Sequence, residues 1–273
     1  MSDSVTFIGH STLHIELDGF HFLTDANFSD RLLGIVKRIG TQAAIDVHNL
    51  PPVSALLVTH GAHDHLDIHT YKYFKQDRPI VAPQGLGYFI KRYLRNPCTE
   101  LQGWGSHSFE TVRITAVPAR HHGFNIPSTR HIPPMGYILQ GTRHTVFVSS
   151  DTSYGPHFSE IGKKFPIHIA ALPIGHYHPR WLMGGRHMNP AEAINAFKDL
   201  KAEAMIPIHW GSFPISFEEL SLPINTLKNT IRNTPLEDSV FPLNPGESLP
   251  FEALTNRQTQ SGTLAAIYEL KSS

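Results

Sequence analysis

The sequence predicts a layered α/β protein, a single domain over residues 1–273, and three observations carry that expectation. Short runs of β-branched and aromatic residues recur along the chain. Stretches of helical composition fall between them. One run, Val53-Ser-Ala-Leu-Leu-Val58, is apolar on both faces. A strand without a polar face has to be covered on both sides, which helices layered around sheets provide.

The elements follow in order. Val5-Thr-Phe-Ile8 and Thr12-Leu-His-Ile-Glu-Leu17 read as strands, and Asp18-Gly19 supplies the turn into Phe20-His-Phe-Leu-Thr24. Pro51-Pro52 bounds the covered strand at residues 53–58. Further strands are expected at residues 112–117, 135–139, 145–148 and 167–172. Asn189-Pro190 is an N-cap followed by a residue whose fixed φ suits the first helical turn, so a helix should run to Leu200, with a short strand at 205–208 after it. A terminal strand is expected at 262–268. The 21 prolines and 20 glycines are scattered, so no linker divides the chain.

Composition narrows the function classes. Lys plus Arg and Asp plus Glu number 23 each, giving a formal charge of +0 and no basic footprint for nucleic acid. A lone Cys98 rules out an internal disulfide and fits a reducing compartment. The N-terminus lacks the basic and apolar regions of a secretory signal, and no apolar run reaches the roughly 18–20 residues of a membrane span. The expected location is cytoplasmic, with a peripheral membrane contact as the further option. Histidine is abundant, at 19 residues.

The chemistry concentrates after the covered strand, in Thr59-His-Gly-Ala-His-Asp-His-Leu-Asp67. Imidazole nitrogen and carboxylate oxygen suit zinc or a neighbouring divalent metal. Alone, such a cluster is as readily a surface feature as a metal site. His121, Asp151 and His209 also lie just beyond expected strands, where rigid elements hold ligands accurately.

Several longer stretches carry a resemblance. They are Phe7-Ile-Gly-His-Ser11, Phe22-Leu-Thr-Asp25, Leu50-Pro-Pro52, Pro118-Ala-Arg-His121 and Ser150-Asp-Thr-Ser-Tyr154. Pro173-Ile-Gly-His-Tyr-His-Pro-Arg-Trp181, His187-Met-Asn-Pro-Ala-Glu-Ala193 and Ile208-His-Trp-Gly-Ser-Phe213 complete them. On these the chain resembles the metallo-β-lactamase superfamily, whose pattern is H-x-H-x-D-H followed by a later His, an Asp and a His. Within it the chain is similar to the N-acyl-phosphatidylethanolamine-hydrolysing phospholipase D branch.

The resemblance implies an αββα sandwich with two zinc ions, Mn or Fe being alternatives. It places His60 and His121 on the first ion, Asp64, His65 and His209 on the second, and Asp151 between them. It also implies a metal-bridging hydroxide that attacks a small-molecule or lipid phosphodiester. His187 would position or protonate the leaving group, and His10 and Asp25 would orient the ligands from behind. Ala62 stands where the pattern has its second histidine. The rest of the pattern is intact, so this alanine reads as an engineered inactivating replacement, with natural divergence as the alternative, and either one weakens or empties the first site. His63 and His122 adjoin the gap and its neighbouring ligand, but their directions suit neither for rescue.

Alternatives remain a lactonase or other ester hydrolase of the same superfamily, or a non-catalytic binding protein on a degenerate site. Tyr154, Tyr177, Arg180 and Trp181 are the candidate substrate contacts. Arg31-Leu-Leu-Gly-Ile-Val-Lys-Arg38 is either an amphipathic helix packed on the core or a segment that covers the site or rests on lipid.

Overall fold

The computed structural model describes residues 2–254, apart from 42, 44, 75 and 124. The expected strand at 262–268 lies outside the described residues. In order the elements are β1 Ser4–Gly9, β2 Thr12–Leu17, β3 Phe20–Thr24, β4 Arg31–Leu32, β5 Val36–Lys37, β6 Ala55–Leu57 and α1 Ile68–Tyr71. Then come β7 Ile80–Pro83, α2 Gly87–Tyr93, β8 Cys98–Leu101, β9 Ser106–Phe109, β10 Val112–Pro118, β11 Met135–Gln140, β12 Thr145–Val148 and α3 His157–Lys164. The remainder are β13 Ile169–Pro173, α4 Arg180–Met183, α5 Pro190–Leu200, β14 Ala204–Ile208, α6 Leu222–Ile231 and β15 Ser248–Pro250.

Two mixed sheets form the body, one ordered β15-β1-β2-β3-β6-β7-β8 and the other β14-β13-β12-β11-β10-β9. The period-2 side-chain rule explains the doubly apolar run. Ala55 and Leu57 join the core shared with the second sheet, where Val146, Val148 and Ile169 lie. Leu56 and Val58 face the other way, into a cluster with Tyr71 of α1 and Phe89 and Ile90 of α2. Helix α5 packs against both α3 and α6 and lies on β13. The result is the αββα sandwich of the metallo-β-lactamase fold.

Strand direction positions the site. In the first sheet β3 and β6 are parallel, and β1 shares their direction through the antiparallel β2. In the second, β12, β13 and β14 are parallel, and β10 shares their direction through β11. Within each sheet these strands end at one edge, the place where open α/β sheets carry their chemistry.

Residues 31–38 correct one expectation. They form an antiparallel hairpin, Arg31 opposite Lys37 and Leu32 opposite Val36, not a helix. Leu33 and Gly34 take left-handed φ values of 52° and 71°, which end any helical repeat. Arg38 anchors the hairpin by donating to Asn27 O and Oδ1 and by lying 4.4 Å over the Phe213 ring. Leu33 and Ile35 are left 65% and 78% exposed.

Candidate metal centre

The strand ends deliver the site residues. His10 follows β1, Asp25 follows β3, His60 lies three residues past β6, and Asp64 and His65 sit in the turn beyond it. His121 lies past β10, Asp151 past β12 and His209 directly after β14. All are buried. His10, Asp25 and His209 hold φ values of 55°, 41° and 58°, a sparsely allowed region that costs about 1–3 kcal/mol each and survives only where surroundings enforce it. One such restraint is the His209 N–H, which donates to His10 O at 2.7 Å.

Asp64 and Asp151 are the two anionic poles. His209 Nε2 lies 3.1 Å from Asp151 Oδ1 and 3.4 Å from Asp64 Oδ2. His65 Nε2 lies 3.4 Å from Asp151 and 3.5 Å from Asp64. His60 Nε2 and His187 Nδ1 each stand 3.9 Å from Asp151 Oδ2. These atoms are close but not aligned on one another. The facing nitrogens of His60, His65, His187 and His209, and Asp151 Oδ1, have no hydrogen-bond partner among the described residues. Buried polar atoms are normally satisfied, so orphans converging on common points have the character of ligands.

Behind them the other ring nitrogens of His60 and His65, and one of His121, are engaged. His65 Nδ1 donates to Asp25 Oδ2 at 2.7 Å, and Thr59 secures Asp25 through its N–H and hydroxyl at 2.8 and 2.7 Å. His121 Nδ1 donates to Arg186 O at 3.0 Å. His60 Nδ1 meets Thr59 Oγ1 at 3.0 Å and Ser150 Oγ at 3.3 Å. His10 Nε2 contacts Asp64 Oδ2 at 3.1 Å, and Asn27 donates to Asp64 O. Such partners fix ring orientation and ligand basicity.

The charge balance agrees. Burial disfavours ionisation of Asp151, yet His209, His65 and His187 outweigh it and hold the carboxyl well below its usual range. Asp64 is held down in the same way by His65, His10 and His209. Burial likewise opposes charge on His65, but Asp151, Asp64 and Asp25 push it well above the ordinary imidazole value. His209 rises to about 9, the carboxylates again outweighing burial. Burial, reinforced by His65, keeps His60 neutral. The carboxylates thus draw protons onto His65 and His209, and a divalent cation would replace those protons. The donor set, four buried imidazoles and two carboxylates, with the second nitrogens of His60, His65 and His121 tied back, fits a divalent metal.

Three groups of ligand atoms lie within 4.8 Å of one another: His10, Asp64, His65 and His209; His60, His65 and Asp151; and His121, Asp151 and His187. His63 and His122 belong to none of them. His176, read from the sequence only as part of the Pro173–Trp181 stretch that could line the pocket, does line it beyond β13 at φ 62°, buried against His10 and His209 with neither ring nitrogen partnered among the described residues. The strand-end pattern, applied to 167–172, is the signal that would have placed it beside His209.

A cavity of about 370 Å³ opens over the cluster. Asp64, Asp151, His187 and His209 line its polar floor beside the Ala62 methyl, and Leu33, Val36, Leu182, Met183, Ile215 and Phe217 its apolar walls. None of the four expected substrate contacts lines it. Tyr154 donates to Asp199 at 2.6 Å, well tied to α5. Tyr177 is buried, its backbone N–H held by Glu218. Arg180 pairs with Glu192 at 2.6 Å, and Trp181 is 85% exposed. The arginine that does line the cavity is Arg186.

Fold and site together define a metal-dependent hydrolase of the metallo-β-lactamase superfamily. The chain belongs to the family described as "Beta-lactamase superfamily domain", whose model matches residues 21–210. It is 31% identical over 258 residues to the N-acyl-phosphatidylethanolamine-hydrolyzing phospholipase D 1 of Caenorhabditis elegans, covering 86% of this chain and 72% of that one. It is 27% identical to a metal-dependent hydrolase of Methanopyrus kandleri, over 89% of this chain and 98% of the other. Some longer relatives are spanned only in part, 63% of one and 50% of another. Among solved structures, a metallo hydrolase of Ignicoccus hospitalis superposes with a TM-score of 0.67 at 19% identity, over 91% of this chain and 98% of that one, which supports the fold.

Proposed function

We propose that the protein is a zinc-dependent phosphodiesterase of phospholipase D type, acting on a lipid-like phosphodiester. The observation that carries this reading is the pairing of a histidine–carboxylate floor with apolar walls in one cavity, which suits a charged head on a hydrocarbon body. Histidine and carboxylate ligands favour zinc. Bound at this cluster, such ions supply an activated water and neutralise charge developing on the substrate.

The chain's own groups do the rest. Asp25, acting through His65, fixes that ring's Nε2 toward the floor, as Arg186 O does for His121 Nε2. Asp64 and Asp151 stay ionised against burial and so set the site's negative charge. Arg186 at the cavity wall suits a phosphate oxygen. The apolar walls exclude water from the ester and seat its hydrocarbon portion.

The test is turnover of zinc-loaded protein on an N-acylated phosphatidylethanolamine, a short-chain phosphodiester and a panel of lactones, run in heavy-oxygen water. The reading expects phosphodiester cleavage, with the label in the phosphate-bearing product. Lactone turnover alone would replace it with the ester-hydrolase reading, which uses the same floor. Absence of any turnover, in both this chain and Ala62→His, would favour the binding-protein reading that Ala62 motivates.

A further inference from the structure

The ligand pattern leaves the first metal one imidazole short at Ala62, a residue that brings only a methyl group to the cavity. We propose that His187 takes the missing place, so that His60, His121, Asp151 and His187 hold the first metal. This rests on the metal-dependent part of the function proposed above and is independent of the substrate.

Four observations converge. Ligand atoms of His121, Asp151 and His187 lie mutually within 4.8 Å. His187 Nδ1 and His60 Nε2 stand at the same 3.9 Å from the same oxygen, Asp151 Oδ2. The second nitrogens of His60 and His121 are engaged elsewhere, so their Nε2 lone pairs are the ones available. His187 is 6% exposed, and its Nδ1 has no hydrogen-bond partner among the described residues. Tetrahedral zinc with bonds of about 2.0–2.1 Å sets its ligand atoms roughly 3.4 Å apart. The two 3.9 Å separations close to that with shifts of about half an ångström, and His60, grouped with His65 and Asp151, joins the His121–Asp151–His187 group through the shared Asp151.

The His187 backbone is held on both sides. Its N–H donates to Met183 O at 2.9 Å, and its carbonyl accepts from Arg180 Nη1 at 3.2 Å. Arg180 is braced by Glu192, which closes the capping box of α5 with Asn189. Arg180 is therefore a positioning residue, through the His187 backbone. A coordinated Nδ1 carries no proton, so His187 cannot protonate the leaving group from that atom while it holds the metal.

The experiment counts metal. Protein stripped with a chelator, reloaded with zinc and desalted is assayed by mass spectrometry, for the unaltered chain, for His187→Gln and for the pair Ala62→His/His187→Gln. We expect about two ions in the unaltered chain, about one in His187→Gln, and about two again in the pair, where the pattern's own histidine is restored. Two ions in His187→Gln, or one in the unaltered chain, overturns the proposal while leaving a metal-dependent hydrolase standing. No ion in any form overturns both. Cadmium NMR of the unaltered protein reads the same point without a variant: coupling of the metal to His187 Nδ1 is expected, and its absence from a fully loaded sample contradicts the assignment.

Discussion

Asp25 contacts neither cavity nor substrate in this account, yet the direction of His65 depends on it. Asp25→Asn should lower zinc affinity about 10–100-fold, the usual effect of losing a carboxylate behind a metal-binding histidine. A competition titration against a chromophoric chelator measures this, and an affinity within twofold of the unaltered chain contradicts the role. At this scale the buried histidine–carboxylate cluster was legible because its members lie beyond strands recognisable from their own side chains. The candidate substrate contacts were not. Tyr154, Tyr177, Arg180 and Trp181 sit in loops whose course depends on distant partners. Glu218, some forty positions downstream, accepts from the N–H groups of His176, Tyr177 and His178 and so turns that loop. Nothing local in the sequence announces that clamp, and the arginine it leaves at the cavity is Arg186.

Among the elements, α5 was readable to the residue because its start is written locally. Asn189 accepts from the Glu192 N–H at 2.9 Å, and Glu192 accepts from Asn189 N–H at 3.0 Å, with Pro190 in the first turn. Asn189→Ala should cost about 1 kcal/mol, near the centre of measured cap losses. Calorimetry on the zinc-loaded protein checks it, and an unchanged midpoint contradicts it. The β4–β5 hairpin was not readable, because alternating aliphatic and basic residues suit an amphipathic helix equally well. Only the left-handed Leu33-Gly34 turn and the burial of Arg38 decide for the hairpin. Its Leu33 and Val36 stand on the cavity wall. Leu33→Ser with Val36→Ser should raise KM for a long-chain lipid several-fold and leave turnover of a short-chain phosphodiester unaltered. Equal losses on both substrates would show that the hairpin supports the fold rather than seats hydrocarbon.

For the molecule as a whole, two strand-rich halves were legible but β7, β8, β9 and β15 were not, and a site at one edge of two sheets followed only from the resemblance, since it depends on strand direction and pairing across the fold. That edge concentrates charge, with a consequence for stability. In the metal-free protein His209 titrates at about 9, against 6.5 for the unfolded residue. Its charged form therefore stabilises the fold fully below pH 6.5, and that contribution is lost as pH rises through 9. His65, also raised, acts in the same direction. His10, lowered to about 3 mainly by burial, acts oppositely, its contribution being lost as pH falls below 6.5. Urea midpoints of chelated protein should fall between pH 6.5 and 9, and zinc-loaded protein, whose ligands carry no such protons, should lack that fall. Identical pH slopes with and without metal would contradict this assignment of the protons.

Among the described residues no helix is long and apolar enough to cross a membrane. The most direct test of the account is hydrolysis of one N-acylated phosphatidylethanolamine by the same preparation, first stripped of metal and then reloaded with zinc. The account predicts no cleavage when stripped and release of the acylated ethanolamine when reloaded. Cleavage that persists after stripping, or a reloaded protein that leaves the phosphodiester intact while opening lactones, would contradict it.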